Sequence, residues 1–190
     1  MKTAALIACL AAALPVIAIP TSAHSHGYTP ARFLGAAIRA GSEIDSRIIN
    51  AAATRFWIGK DSLDYCPPRI DTACHAGTPT IFIDGANTLA LDVMVPWGQQ
   101  IFVDNTGALR FTVAHASPFM PDPRFLTTGF GVIDKGFHLQ FEGADFLACP
   151  AHGAYQIYAA ARAGGNSSMS CLPFAFRISG TDILLTYEYI

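Results

Sequence analysis

The sequence predicts an all-β domain, arranged as a β-trefoil of three pseudo-repeats of about 45–50 residues, with a β-sandwich as the alternative. Two observations carry this. Apolar residues alternate or bunch in runs of four to eight bounded by Gly, Asp, Asn and Pro, which is the signature of short strands joined by turns. The runs also recur. Ile81-Phe82-Ile83-Asp84-Gly85 leads to Leu89, Phe130-Gly131-Val132-Ile133-Asp134 leads to Leu139, and Phe174 to Gly180 leads to Leu184. A second series has Asn50 to Arg55-Phe56 matching Asn105 to Arg110-Phe111 in spacing, with Cys149 to Tyr155 as a looser third copy. One such unit cannot bury its apolar face alone, whereas three closed round an axis remove most open strand edges. The marker leucines 89, 139 and 184, with Phe56 and Phe111, are therefore expected in the core.

In chain order, the first 23 residues read as a cleaved secretory signal. Lys2 supplies the positive start, Ala4–Ile19 is apolar throughout apart from Pro15, and Thr21-Ser22-Ala23 provides small residues for cleavage. The domain is expected to occupy residues 24–190, with no later apolar run long enough for a membrane span. ARFLGAAIRA (31–40) and YQIYAAARA (155–163) carry the helical signals, both short and capped by Gly. Strands are expected in TIFIDG (80–85), TLALDV (88–93), QQIFVDN (99–105), ALRFTVA (108–114), FGVID (130–134), FHLQFEG (137–143), FLACP (146–150), FAFRIS (174–179) and ILLTYEY (183–189). Residues 67–80 and the Gly-Gly-Asn-Ser-Ser run at 164–168 read as loops inside the domain, not linkers.

Removing the signal takes Cys9 from a count of five and leaves Cys66, Cys74, Cys149 and Cys171. In an oxidising compartment these form two disulfides, with three connectivities open. The local pairs 66–74 and 149–171 are expected, because each pins a loop poor in apolar residues. Only 14% of the chain is charged and the net charge is −2, with no basic stripe, so nucleic acid is excluded as a partner class.

The stretches FWIGKDSLDYCP (56–67), WGQQIFVDNTGALRFTVAHASPFMP (97–121), LQFEGADFLACP (139–150) and YQIYAA (155–160) resemble the PhiA family of secreted fungal cell-wall proteins. That family is linked to phialide and conidium formation, with IgE-binding allergens among its members and cell-death-inducing secreted proteins among its relatives. The likeness runs in order over most of the mature chain, while HSHGYTP (24–30) and TYEYI (186–190) depart from the pattern. It implies a non-enzymatic wall-associated or extracellular protein with two disulfides and no catalytic residues, acting in development or host recognition; a monomer without a cofactor is expected.

The residues themselves agree. No G-x-S-x-G or S-x-x-K nucleophile motif occurs. Glu142 and Asp145 form a close carboxylate pair, and it reads as a solvated turn; Asp84, Asp104 and Asp134 lie where turns favour Asp. Cleavage after Ala23 would expose His24-Ser25-His26, a nitrogen set suited to Cu(II), with His75, His115, His138 and His152 as further candidates; this is a distant alternative, and His115 and His152 read as structural. A lectin-type carbohydrate-binding protein is the nearer alternative, with Trp57 and Trp97 as candidate contacts to cell-wall polysaccharide or a host surface component. Asn166 is the acceptor of the single N-x-[ST] sequon.

Overall fold

The computed structural model describes residues 31–70, 74, 77, 79–115, 124–134, 137–164, 170–183 and 185–190. The signal peptide, His24, His26, His75, Asn166 and Leu184 lie outside the described residues.

Among the described residues the chain is all-β. Its strands are β1 (Arg32–Ile38), β2 (Ile49–Ala52), β3 (Arg55–Ile58), β4 (Asp64–Tyr65), β5 (Phe82–Gly85), β6 (Thr88–Leu91), β7 (Gln99–Val103), β8 (Leu109–Phe111), β9 (Phe130–Ile133), β10 (His138–Phe141), β11 (Phe146–Ala151), β12 (Ala154–Ala159), β13 (Leu172–Gly180) and β14 (Glu188–Tyr189). Nine of them close a ring in the order β1-β5-β6-β7-β8-β3-β12-β11-β13, with β13 returning to β1. Strands β10 and β9 extend from β13, β2 pairs with β3, and β4 and β14 make a separate ribbon. Two strands turn the corners. β7 pairs with β6 through Gln99–Gln100 and with β8 through Ile101–Val103. β13 pairs with β11 through Leu172–Phe174 and with β1 through Ala175–Gly180. The result is a barrel made of two sheets that share their corner strands.

Both helical expectations are corrected. In β1 burial alternates, with Phe33, Gly35 and Ala37 inward, and residues 154–159 are strand β12. Small residues give little periodicity of their own, so the cross-strand partners decide. Gly35 is there for its neighbour: a Cβ on it would lie 2.3 Å from a Phe176 ring carbon. The lumen is filled by side chains. Phe82 stacks on Phe33 and on Phe56 at centroid distances of 5.5 Å, and Phe56 and Phe176 in turn meet Phe111 and Phe146.

The threefold trefoil is corrected as well. Leu89 and Leu139 are both fully buried in the second strands of the β5–β6 and β9–β10 hairpins, and Phe56 and Phe111 are buried and in contact. The third unit does not repeat them. Its first strand lengthens into β13, and the strand that follows, β14, pairs with β4. A nine-residue strand shared by two sheets stands where the repeat called for a short hairpin strand. Replacing Leu89 or Leu139 with Ala is expected to cost about 2–5 kcal/mol in urea unfolding, as for other packed core leucines; a cost near zero would show that the position repacks freely.

Candidate functional site

The site is the outer face of the β4–β14 ribbon. Its orientation is set by Tyr189, which is buried; the Tyr189 hydroxyl donates to the Pro79 carbonyl (3.2 Å) and accepts from the Ile81 N–H (3.1 Å). Gln99, also buried, acts as a surrogate strand: its side-chain amide donates to the Tyr189 carbonyl and accepts from the Tyr189 N–H, both at 2.8 Å. With Tyr189 inward, alternation turns Glu188 and Ile190 outward. Tyr65 lies opposite Glu188, and the Ile190 N–H donates to the Leu63 carbonyl at 2.8 Å, which extends the ladder by one pair. Leu63, Tyr65 and Ile190 are each nearly half exposed.

A third segment lies along the other side. The N–H groups of Met94 and Val95 donate to the carbonyls of Thr186 and Tyr187 at 3.1 and 3.0 Å. Val95 points inward and Met94 outward, and the chain then turns at Pro96-Trp97-Gly98. The Gly98 N–H donates to the Val95 carbonyl at 3.1 Å, closing a β-turn with Pro96 second and Trp97 third, φ +74°. A positive φ at the third position is that of a type II turn, where Gly or Asn normally stands. For Trp that backbone costs about 1–2 kcal/mol, and the indole recovers nothing by burial, since Trp97 is 82% exposed. The ribbon is fixed from beneath by the Cys66–Cys74 disulfide, with buried Thr186 placing its hydroxyl 3.6 and 3.9 Å from the two sulfurs.

The other residues singled out by sequence fall elsewhere. Cys149 is bonded to Cys171, so both pairs are the local ones. Trp57 is corrected as a sugar contact. It is on the outer side of β3, but Ala52, Ala154 and the Lys60 ammonium, 3.5 Å from the ring centroid, cover it, and its indole N–H donates to the Ala52 carbonyl. The carboxylates are occupied. Glu142 is ion-paired with Arg162, whose hydrogen bond holds its carboxyl below the usual range, and Asp145 accepts from Gln140. Burial pushes Asp84 up, yet its register partner is Leu89. His138 bonds Asp134 at 2.7 Å, and His115 and His152 sit at turns with positive φ.

Two shallow clefts are present. One, about 450 Å³, lies between Glu43 and the β11–β12 turn, where the Tyr155 hydroxyl donates to Glu43; that bond raises the phenol pKa. The other, about 350 Å³, is bounded by Ile48, Asn50, Asp61, Ser62, Gly77 and Pro79. Among the described residues no group of three or more His, Cys, Asp or Glu could hold a metal ion, and no helix is long and apolar enough to cross a membrane.

The PhiA-like secreted protein family matches residues 33–190. The chain belongs to that family. It is 31% identical to a cell wall protein phiA of Aspergillus fumigatus over 75% of this chain and 76% of that one, and 30% identical to a cell wall protein phiA of Emericella nidulans over 93% and 96%. A secreted protein of Arthroderma benhamiae is 32% identical over 61% of each chain, so the chain spans about three fifths of that relative's length. No solved structure matches. As a family member the protein is secreted, to the extracellular space or the cell wall. Sequence reasoning missed Leu63, Tyr65, Met94 and Ile190 as surface residues. The signal was the alternation in Leu63-Asp64-Tyr65 and Glu188-Tyr189-Ile190, but a two-residue strand does not reveal which side faces inward.

Proposed function

We propose that the protein is a non-enzymatic wall or extracellular-matrix component that works by adhesion, through the ribbon face. The observation that supports this is the row of exposed apolar side chains Leu63, Tyr65, Ile190, Met94 and Trp97 on three adjacent segments. Apolar side chains exposed on neighbouring segments are a mark of an interaction surface. The alternative use of the molecule, catalysis, lacks a paired constellation among the described residues: the candidate carboxylates are engaged in turns and ion pairs. Participation in conidiophore development, or recognition of the secreted protein by a host or by antibodies, would use this same face. A glycan at Asn166 belongs to the same proposal and would appear as a mobility shift on enzymatic deglycosylation.

The test is sedimentation with isolated fungal walls alongside turnover assays on chitin, β-glucan and mannan. The native protein is expected to sediment with the walls and to release no sugar. Turnover abolished by one Asp, Glu or His substitution that leaves folding intact would overturn the non-enzymatic reading.

A further inference from the structure

Resting on the adhesive reading, we infer that the Trp97 turn is a stacking platform for a neutral β-linked polysaccharide, of the chitin or β-glucan class. The first argument is conformational. Trp97 occupies a left-handed turn position that Gly would fill without strain, its ring is almost wholly in solvent, and among the described residues its indole has no hydrogen-bond or ring partner. A bulky residue in a strained, exposed position points to a role outside folding. The second argument is chemical. An indole offers a flat apolar face with a polar N–H at its edge. Pyranose rings whose substituents are all equatorial present a matching flat face of axial C–H groups, as glucose and N-acetylglucosamine units do; mannose, with an axial 2-hydroxyl, interrupts one such face.

The surroundings select a polymer. Met94, three residues from Trp97, carries no charge, the charged residue opposite Tyr65 on the ribbon is the acidic Glu188, and the whole chain has a net charge of −2, so nothing here recruits an anionic ligand. Of the two clefts described above, neither includes Trp97. Small ligands are bound in concave sites that bury most of their surface, whereas a turn tip suits a long chain that offers the same ring face repeatedly. Retention then depends on many weak contacts along the polymer, which multiply avidity without any deep pocket.

The two tryptophans make the test direct, because Trp57 is buried and Trp97 is exposed. Acrylamide should quench the emission of Trp97 preferentially, and oligosaccharides of chitin or β-1,3-glucan should shield it, with mannan oligosaccharides shielding less. Trp97→Gly should keep an unfolding midpoint at or above that of the native protein, since it relieves the turn. Its retention on insoluble chitin or β-glucan should nevertheless fall about tenfold or more, the scale of a single aromatic anchor. Trp97→Tyr should restore part of that retention. Which of the two polymers retains the protein identifies the ligand. If the native protein binds walls but Trp97→Gly binds equally and no sugar shields the emission, the platform is refuted and the adhesive face survives. If the native protein fails to bind walls at all, the adhesive reading falls first.

Discussion

Phe176→Ala is expected to lower stability by about 3–5 kcal/mol, the usual cost of deleting a buried ring. Phe176 is fully buried on the corner strand β13, in edge contact with Phe82 and tilted against Phe146, each with centroids within 5.6 Å. Its ring also lies over Gly35, so the two positions share one volume. Gly35→Ala alone should cost about 1–3 kcal/mol by overpacking, because the new methyl would stand 2.3 and 2.4 Å from two ring carbons. Combining Gly35→Ala with Phe176→Leu should cost less than the sum of the single changes, as expected for residues in contact. Urea unfolding of the four proteins, with disulfides intact, measures this cycle. Strict additivity would show that the ring does not rest on the glycine.

Removing the Cys149–Cys171 disulfide as a double Ala variant is expected to cost about 3 kcal/mol by the chain-entropy account. The bridge lies 22 residues apart in sequence and continues the β11–β13 ladder, one position beyond the Ala148–Leu172 pair. Removing Cys66–Cys74, which closes a shorter loop, should cost slightly less, about 2.5 kcal/mol on the same account. The functional effects should run the other way. The shorter bridge lies under Thr186 and the ribbon, so its loss should weaken wall binding at temperatures where the barrel remains folded, while loss of the longer bridge should leave binding intact. Binding isotherms on walls, taken well below each unfolding midpoint, distinguish the two. Equal binding losses would mean that the ribbon does not depend on its own clamp.

Much of this was readable from sequence where chemistry is local. Each of the nine apolar runs contains a strand, because alternation bounded by turn residues is a property of the segment itself. Disulfide partners followed from loops that needed pinning. The misreadings arise where a distant partner decides. Gly35, Ala36 and Ala37 look compatible with a helix until β13 lies alongside and Phe176 claims the space over Gly35. Trp57 alternates with the core residues Phe56 and Ile58, as an outward residue should, yet Lys60 and two alanines cover it. The adhesive face was least visible of all, since its strands are two residues long and its inward marker, Tyr189, is identified by bonds to Pro79, Ile81 and Gln99, far away in sequence.

The seam between β1 and β13 has a consequence for how the molecule is made. Phe33 pairs with Gly180 and Ile38 with Ala175, so the first strand must wait for a partner far downstream in the chain. A chain threaded N-terminus first into the secretory pathway carries β1 with an open edge through most of its translocation. Such distant pairings slow folding and leave sticky intermediates exposed to chaperones. Export of this protein should therefore be close to all-or-none: nascent chains cut before Leu172 have no seam to close and are retained, and only chains that carry β13 leave the cell as a finished barrel.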